Sequence, residues 1–382
     1  MKKKLLILAS YILVAASSTA LTLGIVFWQT GAVSKLDQLE MLIEQFYIEE
    51  ADITALEDAA AEAMIAATGD RWSYYIPASE YDSYKELSEN AYVGIGVSIT
   101  EAHDGSGLRV MEVNPGSSAE EAGMQVDDVI IEIEGQDAAG MTVPDARNIV
   151  RGKEGTKVEM KIRRAGETMT LSVTRRKIEV PVAVGQLLEN NVGLITIANF
   201  DDRCANETIA AIESLQQQGA EKLIFDVRNN PGGYARELVK LLDYLLPEGE
   251  LFRTMDYAGR ESVDKSDEAF LDMPMAVLVN RDSYSAAEFF TAALQEYEEA
   301  LVVGEKTSGK GYFQNTFHLN DGSAVSLSTG KYFTPNGISL EGVGITPDIE
   351  ITVDDDTYVA IYYGQLSPEE DPQIQSAMDA LQ

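Results

Sequence analysis

The chain has very little of two residue types that often carry chemistry. Its 382 residues include one cysteine, Cys204, and two histidines, His103 and His318. A single cysteine excludes an intramolecular disulfide, and no Cys or His spacing typical of a zinc site is present. Cys204 could be a catalytic thiol, but no Cys–His motif surrounds it, and we interpret it as a small buried hydrophobe. We therefore expect no metal and no cofactor.

Basic residues are also scarce. The chain has 29 Lys and Arg against 63 Asp and Glu, a net charge of −34. Such a field repels phosphate backbones, so the composition argues against a nucleic-acid partner. The hydrophobic content of 45% is that of an ordinary globular protein, and the length favours two or three domains.

The amino terminus carries an uncharged apolar run, residues 5–28, directly after Lys2–Lys4. As a helix this run would span roughly 36 Å, more than the hydrocarbon core of about 30 Å. The preceding lysines predict a single-pass anchor in the cell membrane, with the rest of the chain on the extracytoplasmic side. A cleavable signal peptide is the alternative, because residues 18–20 suit a cleavage site. The run continues well beyond Ala20, which favours an uncleaved anchor.

The remaining chain divides into four regions by texture. Residues 35–90 show helical apolar spacing and predict a helical region, either packed on the main body or serving as the arm of a homodimer. Residues 91–177 are rich in short strands, glycines and turns, which predicts a small β domain. In residues 178–355 apolar strands alternate with helices, which predicts an α/β domain with a largely parallel sheet. Residues 356–382 form a carboxy-terminal tail.

Two segments of the α/β domain lie where a predicted strand ends and a helix begins, which is where such sheets form sites. In residues 226–233 a Pro-Gly-Gly corner could aim amide N–H groups at a developing oxyanion, although a plain turn is the alternative. In residues 279–288, Ser285 lies at a helix start, where the dipole stabilises negative charge. An ordinary N-cap serine is the alternative there.

A third segment, residues 304–314, follows another short strand. Its Gly-x-x-x-x-Gly-Lys pattern is not a phosphate loop, because Gly311 follows where Ser or Thr is required. Lys310 stands between two glycines, so the chain can bring it close to another strand end. A solvent-exposed lysine is the alternative.

Together these three segments resemble, in order, the signatures of the carboxy-terminal processing peptidases, also called tail-specific proteases. The pieces are Asp-x-Arg-Asn-Asn-Pro-Gly-Gly at 226–233, Ser-x-Ser-Ala-Ala-Glu at 283–288 and Thr-x-Gly-Lys-Gly-x-x-Gln at 307–314. Residues 337–349 are similar to the segment that closes the family's peptidase domain, and residues 70–77 to the one before its PDZ domain. The resemblance implies a ClpP/crotonase-like α/β peptidase domain with an inserted PDZ-like domain.

The resemblance assigns catalytic roles to particular residues. The family's nucleophile falls on Ser285, its general base on Lys310, and the residue that orients the lysine on Gln314. The oxyanion hole falls on the amides of Gly232 and Ala286, with Gly233 as a further donor. Arg281-Asp282 stands where the family often has Gly-Gly or Lys-Gly ahead of its serine stretch, which leaves the shape of the pocket open.

This chemistry makes a physical demand on the lysine. A free lysine has a pKa of about 10.4, so Lys310 must be desolvated to accept the Ser285 proton at neutral pH. Ser–Lys pairs are an established variant of the Ser-His-Asp triad. Ser285 would attack a peptide carbonyl and form an acyl-enzyme that water releases. A triad through His318 is the less favoured alternative.

The β domain suggests how substrates are chosen. The segment Tyr92–Val97 resembles the PDZ loop that holds a peptide carboxylate, and residues 114–130 resemble the middle of that fold. The predicted peptide-binding residues are Val93, Gly94, Ile95, Gly96 and Val97. A protein with an apolar carboxy-terminal tail would add as an extra strand, and the resemblance implies that tail binding gates the peptidase.

Three functional classes follow from this reading. The first is a membrane-tethered serine endopeptidase that cleaves proteins near their carboxyl termini. A PDZ binding module with an inactive peptidase domain is the second, and the presence of Ser285, Lys310 and Gln314 argues against it. The third is a cell-wall amidase with the same Ser–Lys pair. This class is disfavoured because a domain that binds protein tails has no evident use with a glycan-linked substrate.

Overall fold

The computed structural model describes residues 34–382, which form two compact units divided after Pro77. The predicted membrane span at residues 5–28 lies outside the described residues. Among residues 34–382, no helix combines the length and the apolar character needed to cross a bilayer.

The first unit contains two helices and a short strand: α1 (Lys35–Phe46), α2 (Ile53–Ala66) and β1 (Tyr74–Ile76). Ser34 starts α1 with a capping box, because its side chain accepts from the Asp37 N–H and the Asp37 carboxylate accepts from the Ser34 N–H. Asp52 caps α2, and the Tyr75 hydroxyl donates to Asp58 at 2.7 Å. The part of the predicted helical region that lies in this unit therefore contains two separately capped helices.

The second unit begins with α3 and the β domain, whose strands carry one buried face. The elements are α3 (Tyr81–Ser88), β2 (Ala91–Gly94), β3 (Val97–Glu101), β4 (Leu108–Val113), α4 (Ser118–Glu121), β5 (Val129–Ile133), β6 (Gln136–Asp137), α5 (Val143–Val150), β7 (Lys157–Arg164), β8 (Glu167–Thr174) and β9 (Arg176–Glu179). The sheet runs β3-β4-β5-β7-β8, and β2 pairs with β9. In β7, Val158, Met160 and Ile162 alternate into the core because successive side chains of a strand point to opposite faces.

The peptidase region is built on a second sheet, in the order β10-β11-β12-β15-β16-β19. Its elements are β10 (Ala183–Leu187), β11 (Val192–Ile197), α6 (Cys204–Gln217), β12 (Lys222–Asp226), α7 (Ala235–Leu245), β15 (Met275–Val279), α8 (Ala286–Glu296), β16 (Ala300–Gly304) and β19 (Ile349–Glu350). All neighbours are parallel except β10, which is antiparallel to β11. Every residue of β15 is buried, since apolar clusters cover both faces of this sheet.

An antiparallel sheet that the sequence did not predict lies beside the parallel one. It contains β13 (Gly249–Asp256), β14 (Glu261–Ser266), β17 (Tyr312–His318) and β18 (Ala324–Phe333), in the order β17-β18-β13-β14. Phe252 of β13 contacts Phe289 of α8 with ring centroids 5.4 Å apart. This sheet therefore carries the chain directly after Lys310 and packs on the helix that follows Ser285.

The carboxy-terminal region forms two helices, α9 (Asp355–Tyr362) and α10 (Pro372–Ala380). Ile374 and Ala377 of α10 join the apolar cluster on one face of the parallel sheet. Arg228, next to the end of β12, connects that strand to α10. Its guanidinium lies 2.6 Å from Asp226 and 2.8 Å from Asp371, the N-cap residue of α10, and all three side chains are nearly inaccessible to solvent. The tail is thus part of the folded core.

We predict that Arg228→Gln destabilises the folded protein by about 3–5 kcal/mol, because it leaves two buried carboxylates without their cation. Arg260→Gln is the matched control, since the Arg260 side chain is 76% exposed in its pair with Asp256 and exposed pairs contribute little. Urea unfolding followed by circular dichroism measures both variants. Equal unfolding midpoints for the two would show that the Arg228 cluster does not hold α10.

Candidate active site

Ser285 lies at a sharp turn between β15 and α8. It is a non-glycine residue with φ +58° and ψ −126°, a sparsely populated conformation that costs energy and persists only where the surroundings impose it. The residue is 8% exposed and immediately precedes the first turn of α8, so its hydroxyl lies where the helix dipole favours negative charge. The ordinary N-cap reading does not explain this strained backbone.

The corner after β12 packs directly against this turn through Gly232. A Cβ atom at Gly232 would lie 2.7 Å from both the Ser285 Cβ and the Ala286 N, and the backbone has φ +87°. Any larger residue would push the two segments apart. The predicted neighbourhood of Gly232, Ser285 and Ala286 is therefore present in the structure.

The amides predicted for the oxyanion hole differ in their bonding. The Gly232 N–H donates to Asn230 Oδ1 at 2.8 Å, and the Asn230 side chain is itself buried and anchored to the Ile197 carbonyl. By contrast, the N–H groups of Gly233 and Ala286 have no acceptor among residues 34–382. In this conformation Gly233 and Ala286 present free donors, whereas the Gly232 amide is directed at Asn230.

The Glu288 carboxylate joins the serine segment to the lysine segment. Within the described part of the chain, four donors reach it: the N–H of Ser285 at 3.0 Å, the N–H of Lys310 at 2.8 Å, the N–H of Gly309 at 2.7 Å and the Thr307 hydroxyl at 2.5 Å. Glu288 has no exposed surface. Burial raises the pKa of its carboxyl, and the donors oppose that shift. Because every partner donates, the ionised form satisfies the whole set.

Lys310 is half-buried in the segment that follows β16. Its ammonium nitrogen lies 5.5 Å from the ring centroid of Tyr284, the residue that precedes Ser285. The glycine after it has a packing role: a Cβ at Gly311 would lie 2.6 Å from the Glu341 N, and the Gly311 N–H donates to the Glu341 carboxylate at 2.8 Å. The flanking glycine thus lets the lysine segment press against the 337–349 segment.

Gln314 lies on β17 next to a register shift in its pairing with β18. Its amide nitrogen donates to the Tyr312 carbonyl at 3.0 Å and to the Ser328 hydroxyl at 3.1 Å. The amide oxygen is the atom suited to accept from an ammonium group. The role of Gln314 in orienting Lys310 stays a prediction.

Arg281 and Asp282, the departure from the family pattern, contact the carboxy-terminal helix α9. The Arg281 guanidinium stacks 4.0 Å from the ring centroid of Tyr358, and the Tyr358 hydroxyl donates to Asp282. The same hydroxyl lies 3.2 Å from Asn229 Oδ1, so one tyrosine contacts both loops of the site. In this chain the two larger residues serve as contacts for the tail.

The remaining chemical candidates lie elsewhere. Cys204 is fully buried in the core at the start of α6, and burial raises the pKa of its thiol well above the ordinary value. His318, at the end of β17, has its Nε2 3.3 Å from the Tyr81 hydroxyl. Among the residues that the structure describes, no group of three or more potential ligands could hold a metal ion.

The predicted PDZ loop spans the end of β2, a turn and the start of β3. Val93 and Gly94 belong to β2, Ile95 and Gly96 form the turn, and Val97 begins β3. The Val93 N–H donates to the Glu86 carboxylate at 3.1 Å. The N–H groups of Ile95 and Gly96 have no acceptor within residues 34–382. Their peptide-binding role stays a prediction.

Sequence reasoning missed Asn230, Glu288, Thr307 and Tyr358. Glu288 had a readable signal, because a serine with a glutamate three residues later is a capping box. A capping box already accounts for the Glu288 side chain, so the pattern gives no indication of its bonds to Gly309 and Lys310 in a distant segment. Nothing in the sequence linked Tyr358 to the serine loop.

Comparisons with known proteins now identify the family. Residues 191–351 match the model of peptidase family S41, and residues 109–164 match a PDZ domain. The carboxy-terminal processing protease CtpA of Bacillus subtilis (strain 168) is 34% identical over 369 residues, covering 93% of this chain and 79% of that protein. The chain belongs to the carboxy-terminal processing proteases of family S41. It is a serine peptidase that carries a PDZ domain, and the predicted resemblance is confirmed.

Further relatives agree with this assignment. A CtpA-like serine protease of Staphylococcus saprophyticus is 32% identical, covering 91% of this chain and 72% of that protein. A solved S41 protease structure from Bacteroides fragilis matches with a TM-score of 0.52 at 17% identity, over 90% of this chain and 96% of that one. The latter likeness supports the fold alone. The predicted peptidase fold with a PDZ domain is therefore correct.

We predict that Glu288→Gln lowers kcat about 10–100-fold with little change in KM, because misplacing reacting groups by even 1 Å costs on that order. A glutamine offers one accepting oxygen where the carboxylate offers two, so two of the donors lose their partner whichever way the amide is turned. Glu298→Gln, an exposed position just beyond α8, removes the same charge as a control. Steady-state cleavage of an unstructured protein measures both, and wild-type kcat in Glu288→Gln would contradict the role.

Proposed function

We propose that Ser285 is the nucleophile and Lys310 the general base of this peptidase. The observation that carries the proposal is the Glu288 carboxylate, which accepts from the backbone N–H of both residues and so holds the two segments in one place. The strained backbone of Ser285 and the position of the Lys310 ammonium beside Tyr284 support the same assignment.

The reaction follows from these positions. The neutral Lys310 amine takes the proton of the Ser285 hydroxyl as the serine oxygen attacks the peptide carbonyl. The free N–H groups of Ala286 and Gly233 donate to the oxyanion, and the α8 dipole favours the same charge. Lys310 then gives its proton to the leaving amine. Water, deprotonated by the same lysine, then attacks the acyl carbonyl; the ester bond to Ser285 breaks, and Lys310 returns the proton to the serine oxygen.

We further propose that the substrates are proteins with apolar carboxy-terminal tails, which the PDZ domain holds while the chain is cut near its end. The family and the PDZ domain support this choice, and strand addition to β3 is the expected mode. The bond from the Gly232 N–H to Asn230 supports a gated enzyme. In that scheme, tail binding frees the third oxyanion donor.

Membrane attachment through residues 5–28, with the peptidase on the extracytoplasmic side, is the corresponding proposal for location. The length of the apolar run and the lysines before it support it. A homodimer through α1 is likewise a proposal. It is supported by the exposed apolar side chains of that helix, among them Leu39, Leu42 and Phe46.

The decisive test of the function compares the full-length protein in detergent with Ser285→Ala and Lys310→Met. We expect the wild type to cut an unstructured protein that ends in apolar residues, and each variant to lose at least 1,000-fold in kcat, since triad-type groups act as a unit. Mass spectrometry of the products locates the cut. Cleavage by Ser285→Ala would refute the nucleophile, and binding without cleavage by any form would favour the PDZ binding module.

The anchor is tested by fractionation of cells that express the full chain. We expect the protein to stay with membranes after alkaline carbonate washing and to be digested by protease added outside the cytoplasmic membrane. Replacing Leu8, Leu13 and Leu21 with arginines should release it, because each buried charge opposes insertion by about 2.5–3.5 kcal/mol. Recovery of the wild type shortened at its amino terminus and in the soluble fraction would instead support a cleaved signal peptide.

A further inference from the structure

A carboxylate of the chain itself already binds beside the PDZ loop. Glu86, on α3, accepts from the Val93 N–H through Oε1 at 3.1 Å and from the Arg151 guanidinium through Oε2 at 3.1 Å. Val93 is the first residue of the predicted carboxylate loop, and Arg151 directly follows α5, the long helix of the PDZ domain. The two donors therefore come from the predicted carboxylate loop and from the end of helix α5.

The chemistry of this pair is that of a terminal-carboxylate site. Backbone N–H groups and arginine side chains are the donors that proteins commonly use to bind a peptide carboxylate. The Arg151 side chain is steadied by the ring of Tyr92, whose centroid lies 5.1 Å from the guanidinium carbon. Later in the same loop, the N–H groups of Ile95 and Gly96 have no acceptor within residues 34–382.

There is room beside Glu86 for an incoming tail. A cleft of about 920 Å³ lies between α3, β2 and the end of α5, lined among others by Glu86, Tyr92, Val93, Asn148 and Arg151. Three lysines also line it, Lys85, Lys153 and Lys177, together with the acids Asp82, Glu89 and Glu154. Lys177 is paired with Glu89 at 2.9 Å, whereas the Arg151 guanidinium is paired with Glu86.

The bond that Glu86 makes is weak enough to exchange. The side chains of Arg151 and Glu86 are 38% and 25% exposed, and ion pairs that water reaches to this extent contribute little stability. An incoming carboxylate that also reaches the Ile95 and Gly96 amides would have more donors than Glu86 has.

We propose that the Glu86 carboxylate occupies the site of the substrate's carboxy-terminal carboxylate, and that a protein tail must displace it from Arg151 and Val93. This inference rests on the proposed tail-binding function of the PDZ domain. It names Arg151 as a substrate-binding residue and Glu86 as an internal competitor. The site would select chains with a free terminal carboxylate, because a tail without that charge leaves Glu86 in place.

The test measures tail binding by fluorescence anisotropy in the full-length protein carrying Ser285→Ala, so that nothing is cleaved. The probes are a labelled ten-residue peptide that ends in two alanines with a free carboxylate and its carboxy-terminally amidated twin. Each is titrated with the parent protein, Glu86→Gln, Arg151→Met and Asp82→Asn. Asp82 lies on the same helix and lines the same cleft, so it controls for the loss of one negative charge.

We expect Glu86→Gln to bind the free-acid peptide roughly fivefold more tightly, with the amidated peptide unchanged, because removing a competitor worth about 1 kcal/mol gives a factor of that size. Arg151→Met should bind both peptides equally and weakly. Asp82→Asn should match the parent. Circular dichroism verifies that each variant is folded, and the Arg151 variant tests the site independently of the Glu86 variant.

Each other result has a defined meaning. If the parent prefers the free acid but Glu86→Gln binds no more tightly than Asp82→Asn, the competitor is refuted while the tail-binding function stands. If Arg151→Met keeps the full preference for the free acid, the carboxylate site lies elsewhere. If no form binds either peptide, both the tail-binding function and this inference are wrong. Binding that appears only in Glu86→Gln would support the inference strongly.

Discussion

The buried carboxylate of Glu288 is the interaction on which the site depends. It joins the start of α8 to the segment that carries Lys310, and these come from different strands of the parallel sheet. Thr307 extends the connection, since its hydroxyl donates to Glu288 and accepts from the Ile345 N–H at 2.7 Å. A buried charge of this kind is tolerated because hydrogen bonds replace its water. The same bonds leave Ser285 in a strained backbone conformation that an isolated turn would not keep.

Around this centre, polar clusters connect the active-site loops to distant parts of the chain. Arg228 holds α10 beside the end of β12, and Tyr358 of α9 contacts both the 226–233 corner and the serine loop. The Arg281-Asp282 pair, which differs from the family pattern, is thus matched by residues in the tail. At the PDZ domain a third cluster, Glu86 with Arg151, lies at the predicted tail site.

Several elements were predictable from local pattern. The helix Val143–Val150 and the strands Val192–Ile197 and Met275–Val279 lie in regions of the predicted type, because their apolar periodicity reflects burial directly. The antiparallel sheet of β13, β14, β17 and β18 was not predicted. Its strands are only partly buried, as β17 shows, so apolar and polar residues alternate weakly in their sequences. In addition, the pairing of β13 with β18 joins residues that lie far apart in the chain. Within the tail of residues 356–382, the sequence does not fix the helix α10, since a short helix gains most of its stability from packing.

The sequence by itself determined the family, the order of the candidate catalytic segments and the residue types that the chemistry needs. Each of these is carried by a short run of neighbouring residues at a strand end, so it can be recognised without knowing any tertiary contact. Tertiary structure decided which partners those residues have. It directed the Gly232 amide to Asn230, placed Glu288 between Ser285 and Lys310, and brought Tyr358 to the serine loop. A hydrogen bond depends on distances of a few tenths of an ångström between residues that lie far apart in the chain. The spacing of residues along the chain does not determine those distances.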